Sequence, residues 1–93
     1  MNPLIDLGDD HQARIVPFGG DPNSGIDYYH KTPEGKPCGG FITITGSAWA
    51  KEFSPGSIVT WELVSADPLT LSPSLLCECG DHGFIREGKW VPA

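Results

Sequence analysis

The segment Cys77-Glu78-Cys79-Gly80-Asp81-His82-Gly83 gathers two thiols and an imidazole within six consecutive positions, and no other stretch of the chain concentrates chemistry in this way. Thiolate sulfur and imidazole nitrogen are the donors that zinc takes in tetrahedral structural sites. Gly80 and Gly83 suit a tight knuckle, because glycine tolerates positive φ and lets backbone amides turn toward a thiolate. A knuckle of this kind supplies half of a coordination shell, so the other half must come from a distant part of the chain. His30 and Cys38 are the candidates, which gives an expected ligand set of His30, Cys38, Cys79 and His82. Cys77 is the substitute ligand, most readily for His30. The expected cofactor is zinc in a structural role, since mixed thiolate and imidazole donors disfavour hard cations.

The elements around these residues have to bring them together. In Ile26-Asp27-Tyr28-Tyr29-His30-Lys31 the period of a strand places Ile26, Tyr28 and His30 on one face, so His30 lies on the more apolar side. Thr32-Pro33-Glu34-Gly35-Lys36 has turn spacing, and Phe41-Ile42-Thr43-Ile44-Thr45 beyond it is strongly β-forming. Residues 26 to 45 therefore read as a hairpin that carries His30 toward Cys38. After the knuckle, residues 83 to 91 read as a second hairpin with Gly88 in its turn.

Elsewhere, Ala13 to Phe18 reads as a strand ended by Gly19-Gly20-Asp21-Pro22-Asn23-Ser24-Gly25, a seven-residue string of turn formers. Ile58 to Ser65 alternates Val59, Trp61 and Leu63 against Thr60 and Glu62, the pattern of a half-buried strand. Gly46 to Phe53 is open between a helical turn and a bend, Ser54-Pro55-Gly56-Ser57 forces a turn, and Leu69 to Leu71 resumes β character. The expected fold is mostly β: a small antiparallel domain of hairpins over residues 13–93, with a zinc-knuckle-like turn and little helix. Residues 1–12, polar and acidic, read as an N-terminal arm.

At 93 residues the chain buries a smaller share of its surface than a typical domain, and its 12 glycines and 9 prolines favour turns and short strands over helices. A metal staple answers that shortage, because structural zinc contributes on the order of 10 kcal/mol of apparent binding energy. Lys and Arg number 6 against 12 Asp and Glu, a net charge of −6. The basic residues are scattered, so a nucleic acid is not the expected partner. The N-terminus carries no basic and apolar signal pattern and no run approaches membrane-spanning length, so neither secretion nor a membrane is expected. Three cysteines, an odd number, suit a reduced compartment and metal or free thiols better than a disulfide framework.

The run Leu69-Thr70-Leu71-Ser72-Pro73-Ser74-Leu75-Leu76, followed by Cys79-Gly80-Asp81-His82-Gly83-Phe84-Ile85-Arg86-Glu87-Gly88-Lys89-Trp90-Val91, resembles small uncharacterised proteins of actinobacterial phages and prophages. Those proteins carry a similar LTLSPSLL segment and a CGxHGfIrdGkW ending, often after an H-x-TP-x-G-x-x-C-x-G stretch like His30 to Gly40. The resemblance spans roughly residues 26 to 93. It implies a phage origin and brings no assigned activity. Where that family has two cysteines in its C-terminal motif they are usually spaced C-x-x-C, and the C-x-C spacing here sets Cys77 apart from the first choice of ligands.

Catalytic signatures are missing. The deaminase pattern needs a second cysteine after Pro37-Cys38 and a glutamate two positions beyond a histidine, and H-E-x-x-H is absent as well. Cys38 with His30, or Cys79 with His82, has the residue types of a thiol nucleophile and its base, but a chain this short has little room to enclose a substrate. No catalytic residue is assigned. Large aromatics are numerous: Trp61, Phe41 and Phe84 are expected in the core, and Tyr29, Trp49 and Trp90 as a protein-binding surface. The expected role is a phage-encoded accessory protein that binds a host or phage protein in the host cytoplasm, its oligomeric state open. The alternatives are a virion component on capsid or tail and a metal-dependent hydrolase.

Overall fold

The computed structural model describes residues 2–53 and 59–93. The turn expected at 54–57 and the first residue of the strand expected at 58–65 lie outside the described residues. The protein is mostly β. Strands β1 (Ile5–Gly8), β2 (His11–Phe18), β3 (Asp21–Lys31) and β4 (Pro37–Thr43) form one antiparallel sheet in that order. A short helix α1 (Ala48–Phe53) follows, then the hairpin β5 (Glu62–Ala66) and β6 (Leu69–Ser72), and a three-stranded sheet of β7 (Leu75–Leu76), β8 (His82–Arg86) and β9 (Lys89–Pro92).

Three two-residue loops set these hairpins. Asp9-Asp10, Gly19-Gly20 and Glu87-Gly88 all have positive φ at both positions, the backbone whose twist matches that of the strands it joins. The Gly19-Gly20 turn replaces the seven-residue turn expected over 19–25, and Asp21 to Gly25 are extended instead. The polar side chains there are occupied elsewhere. Asp21 Oδ2 accepts from the Ala48 amide (3.1 Å), Ser24 Oγ from the Trp49 amide (3.1 Å) and Ser47 Oγ from the Ala50 amide (3.1 Å), which satisfies the first N–H groups of α1. Gly25 lies beneath the Phe41 ring: a Cβ there would fall 2.0 Å from it, so the ring would have to move.

Asp21 also accepts from the Asn23 amide at 3.0 Å, and this bond, with that from Ala48, holds its carboxyl below the ordinary range. A depressed native value stabilises the fold fully above the unfolded-state value, about 3.9, and the contribution is lost as pH falls through that value to the lower folded one. Wild-type protein should thus lose more stability than Asp21→Asn between pH 7 and pH 3, read from urea melts. Parallel losses in the two would remove Asp21 from the account.

Residues 5–12 belong to the first sheet and not to an arm. Ile5–Gly8 pairs with β2, Leu7 is buried, and His11 opens β2 on its buried face. His11, Ala13 and Ile15 continue one period-two stripe, which apolar composition alone reveals only from Ala13 onward. The 26–45 hairpin is present with the expected alternation: Ile26, Tyr28 and His30 are buried and cross-strand to Ile42, Gly40 and Cys38. At Gly39 a Cβ would lie 2.1 Å from the Tyr28 carbonyl oxygen, so the two strands approach only with glycine there. The strand expected at 58–65 is shorter and later. Val59 is exposed, Trp61 makes an isolated parallel bridge with Ile44, and β5 begins at Glu62.

All three sheets share one core, with Leu7, Ala13, Ile26 and Ile42 from the first, Leu69 and Leu71 from the second, and Leu75, Ile85 and Trp90 from the third. Trp90 is therefore not a surface residue: it is 7% exposed and stacks on His11 with ring centroids 4.1 Å apart. Phe41, expected inside, is instead on the outer face of β4, at 38% exposure. Trp61 packs half-buried against the core.

Candidate metal centre

The β3–β4 hairpin and the knuckle after β7 meet at four side chains. His30 and Cys38 are direct cross-strand partners on the buried face of the first sheet. Cys77 and Cys79 come from a tight turn in which the Gly80 amide donates to the Cys77 carbonyl (2.8 Å) and the Cys77 amide to the Asp81 carbonyl (2.8 Å), with Gly80 at φ 94°. This turn lets residues two apart aim both sulfurs the same way.

Cys38 Sγ lies 3.2 Å from Cys77 Sγ, and His30 Nε2 lies 3.3 Å from Cys77 Sγ and 3.5 Å from Cys79 Sγ. One donor atom from each of the four residues falls within 4.8 Å of every other. A zinc tetrahedron with Zn–S of about 2.3 Å and Zn–N of about 2.0 Å has edges of about 3.7 Å between sulfurs and 3.5 Å from sulfur to nitrogen. The two sulfur–nitrogen spacings lie within about 0.2 Å of that edge, and the Cys38–Cys77 spacing is about half an ångström shorter than the sulfur–sulfur edge. They are too long for a disulfide, whose sulfurs sit about 2.05 Å apart, and all three cysteines are free.

The thiols are unlike one another. Burial works against ionisation of Cys77, but bonds from the Cys79 amide, the His30 ring and Cys38 prevail and hold it at about 7. Cys38 is pushed up to about 11, first by the proton it shares with Cys77 and then by desolvation. Close packing of three thiols around one imidazole is the arrangement a cation relieves, because the metal neutralises thiolates that otherwise repel.

His82 does not join this cluster. It is exposed, and its Nε2 lies 3.0 Å from Ser74 Oγ. The reason is strand geometry: β8 begins at His82, and Gly83 and Ile85 take the inner face, so His82 points outward. Cys77 fills the fourth place, standing in for His82 and not for His30. Tyr29 is 41% exposed on the outer face of β3, and half-buried Trp49 packs among Phe18, Phe41 and Phe53 at 4.5–5.3 Å between centroids.

Two residues beside the cluster, His11 and Asp81, escape a reading of the sequence. Asp81 Oδ2 accepts from His11 Nε2 (2.5 Å) and from the Tyr28 hydroxyl (3.1 Å), and lies 3.7 Å from His30 Nδ1. The other nitrogen of His11, Nδ1, faces the Asp9 carbonyl at 2.5 Å. Both ring nitrogens of His11 thus face oxygen acceptors. Burial acts to raise the Asp81 carboxyl, but the bonds from His11 and Tyr28 and the charges of His11 and His30 hold it low. Tyr28 is displaced the other way, above its ordinary range, by burial and then by the Asp81 charge. His11, His30 and Asp81 also form a compact donor group, but the short Nε2 to Oδ2 contact leaves no room for an ion between them.

No protein-family model matches the chain, and neither curated proteins nor solved structures provide a match. Among the described residues no helix is long and apolar enough to cross a membrane.

Proposed function

We propose that this is a phage-encoded binding module, stapled by one structural zinc ion, that acts on a host or phage protein without catalysis. The observation that carries this reading is the donor set: three sulfurs and one imidazole nitrogen, all within 4.8 Å of one another, would complete a four-coordinate zinc shell and leave no position for a water or substrate. Zinc is the chosen metal because three thiolates and an imidazole exclude hard cations and suit a tetrahedral ion without redox chemistry. The phage origin rests on the resemblance of residues 26 to 93.

The surface that suits a partner protein is aromatic. Phe53 at 56% exposure and Phe41 at 38% flank half-buried Trp49, with Tyr29 further along the same sheet face. Rigid aromatic rings of this kind dominate the energetics of protein interfaces.

Elemental mass spectrometry of the natively purified protein should give about one zinc per chain, and chelation should remove the cooperative melt. A metal-free protein with an unchanged melt would sink the zinc reading. The binding role predicts that a host or phage protein retained by the wild type is lost from Phe53→Ser at unchanged zinc content. Co-sedimentation with purified particles would instead establish a virion component. A coordination shell of three protein donors and one water would revive the hydrolase.

A further inference from the structure

We propose that Asp81 is a positioning residue of the metal centre: its carboxylate, held by His11 and Tyr28, orients the His30 ring so that Nε2 presents its lone pair to the ion. This inference rests on the reading of His30, Cys38, Cys77 and Cys79 as the ligands.

The two nitrogens of the His30 ring face different neighbours. Nε2 of His30 points at Cys77 and Cys79, while Nδ1 has only acceptors near it, the Lys31 carbonyl at 3.3 Å and Asp81 Oδ2 at 3.7 Å. A proton on Nδ1 is the arrangement that these neighbours favour, and it leaves the lone pair on Nε2. The Lys31 carbonyl takes the hydrogen bond at Nδ1, and the Asp81 carboxylate, just beyond hydrogen-bond distance, adds its charge behind the ring, which favours the proton on Nδ1 and makes Nε2 the better donor.

Asp81 is held firmly enough to do this. His11 is the cross-strand partner of His30 on β2, and Tyr28 lies two residues before His30 on the same face of β3, so the carboxylate is gripped from the strand that carries the ligand and from the strand paired with it. The backbone of Asp81 meanwhile closes the knuckle through its carbonyl, which accepts from the Cys77 amide. One residue thereby couples the positions of the two halves of the site. The charges agree with this arrangement. Zinc with three thiolates and a neutral imidazole carries one negative charge, and the second anion beside it, Asp81, is held by hydrogen bonds from His11 and the Tyr28 hydroxyl. Stacking on Trp90 keeps His11 in place.

The test is a zinc competition titration of the full-length protein against a chromophoric chelator, with cobalt spectra of the same samples. Asp81→Asn should raise the zinc Kd by about 10 to 100-fold, the range found for groups that orient metal-bound histidines. Its cobalt thiolate charge-transfer intensity should match wild type while the d–d bands shift, a signature that general loss of stability does not produce. Tyr28→Phe removes one of the two bonds to the carboxylate while keeping the ring, and should weaken zinc several-fold even if Asp81→Asn fails to fold. Wild-type zinc affinity in Tyr28→Phe and in a folded Asp81→Asn would overturn the role of Asp81 and leave the metal site standing. Failure of the wild-type protein to take up any zinc or cobalt would overturn the site itself and this proposal with it.

Discussion

Cys77→Ser should strip zinc from the protein and abolish its cooperative melt, whereas His82→Ala should leave both close to wild type. The contrast is large because the two residues differ in what surrounds them. Cys77 Sγ is 3.2 Å from Cys38 Sγ and 3.3 Å from His30 Nε2, the centre of the donor cluster. His82 is on the outer face of β8 with a serine hydroxyl for company. Structural zinc provides on the order of 10 kcal/mol, which is comparable to the 5–15 kcal/mol of net stability in a whole domain, so a lost ligand cannot be absorbed. An exposed side chain away from such features costs about 0.5 kcal/mol or less. Zinc stoichiometry and thermal melts of the two variants settle the matter. Wild-type zinc content in Cys77→Ser, or metal loss in His82→Ala, would restore the ligand set expected from spacing alone.

Three residues of that expected set, His30, Cys38 and Cys79, lie in the donor cluster, and the reasons His82 does not are geometric. His30 and Cys38 were legible because a strand period and a turn with proline and glycine fix their register, and the register is observed. Cys79 was legible from the glycine that follows it. The choice between Cys77 and His82 depended on where β8 starts, and one residue of shift in a strand exchanges its two faces. Asp81 was adjacent to the chosen histidine in sequence but carried no metal-ligand spacing of its own. His11 was hidden in an acidic stretch where Ile5 and Leu7 form an edge strand too short to declare itself. The seven turn formers at 19–25 misled for a related reason: Asp and Ser favour turns by bonding locally, and here Asp21 and Ser24 bond to the start of α1. Binary alternation read the hairpins well where one face was apolar and poorly where the buried residue was polar, as at His11, Ser24 and Ser47.

Trp90→Ala provides the second decisive result, because sequence placed that ring on a binding surface and the fold places it in the core against His11 and Tyr28, beside the candidate metal centre. A surface tryptophan would cost partner affinity and leave the fold intact. Trp90 is 7% exposed, its ring covers Gly83 so closely that a Cβ there would lie 2.5 Å from it, and it stacks on His11 at 4.1 Å. Truncation of such a residue costs about 3–5 kcal/mol, through lost transfer energy and the cavity left behind. In a chain of this size that approaches the entire margin. The loss should also reach the metal: His11 would lose the ring it stacks on, Asp81 one of the groups that grip it, and His30 the carboxylate behind it. Urea unfolding at fixed zinc should therefore show a midpoint drop for Trp90→Ala and almost none for Phe53→Ala, whose ring is 56% exposed. The same Trp90→Ala protein should give up zinc to a competing chelator more readily than wild type. A stable Trp90→Ala protein with wild-type zinc affinity would mean that the third sheet does not dock on the first through this ring.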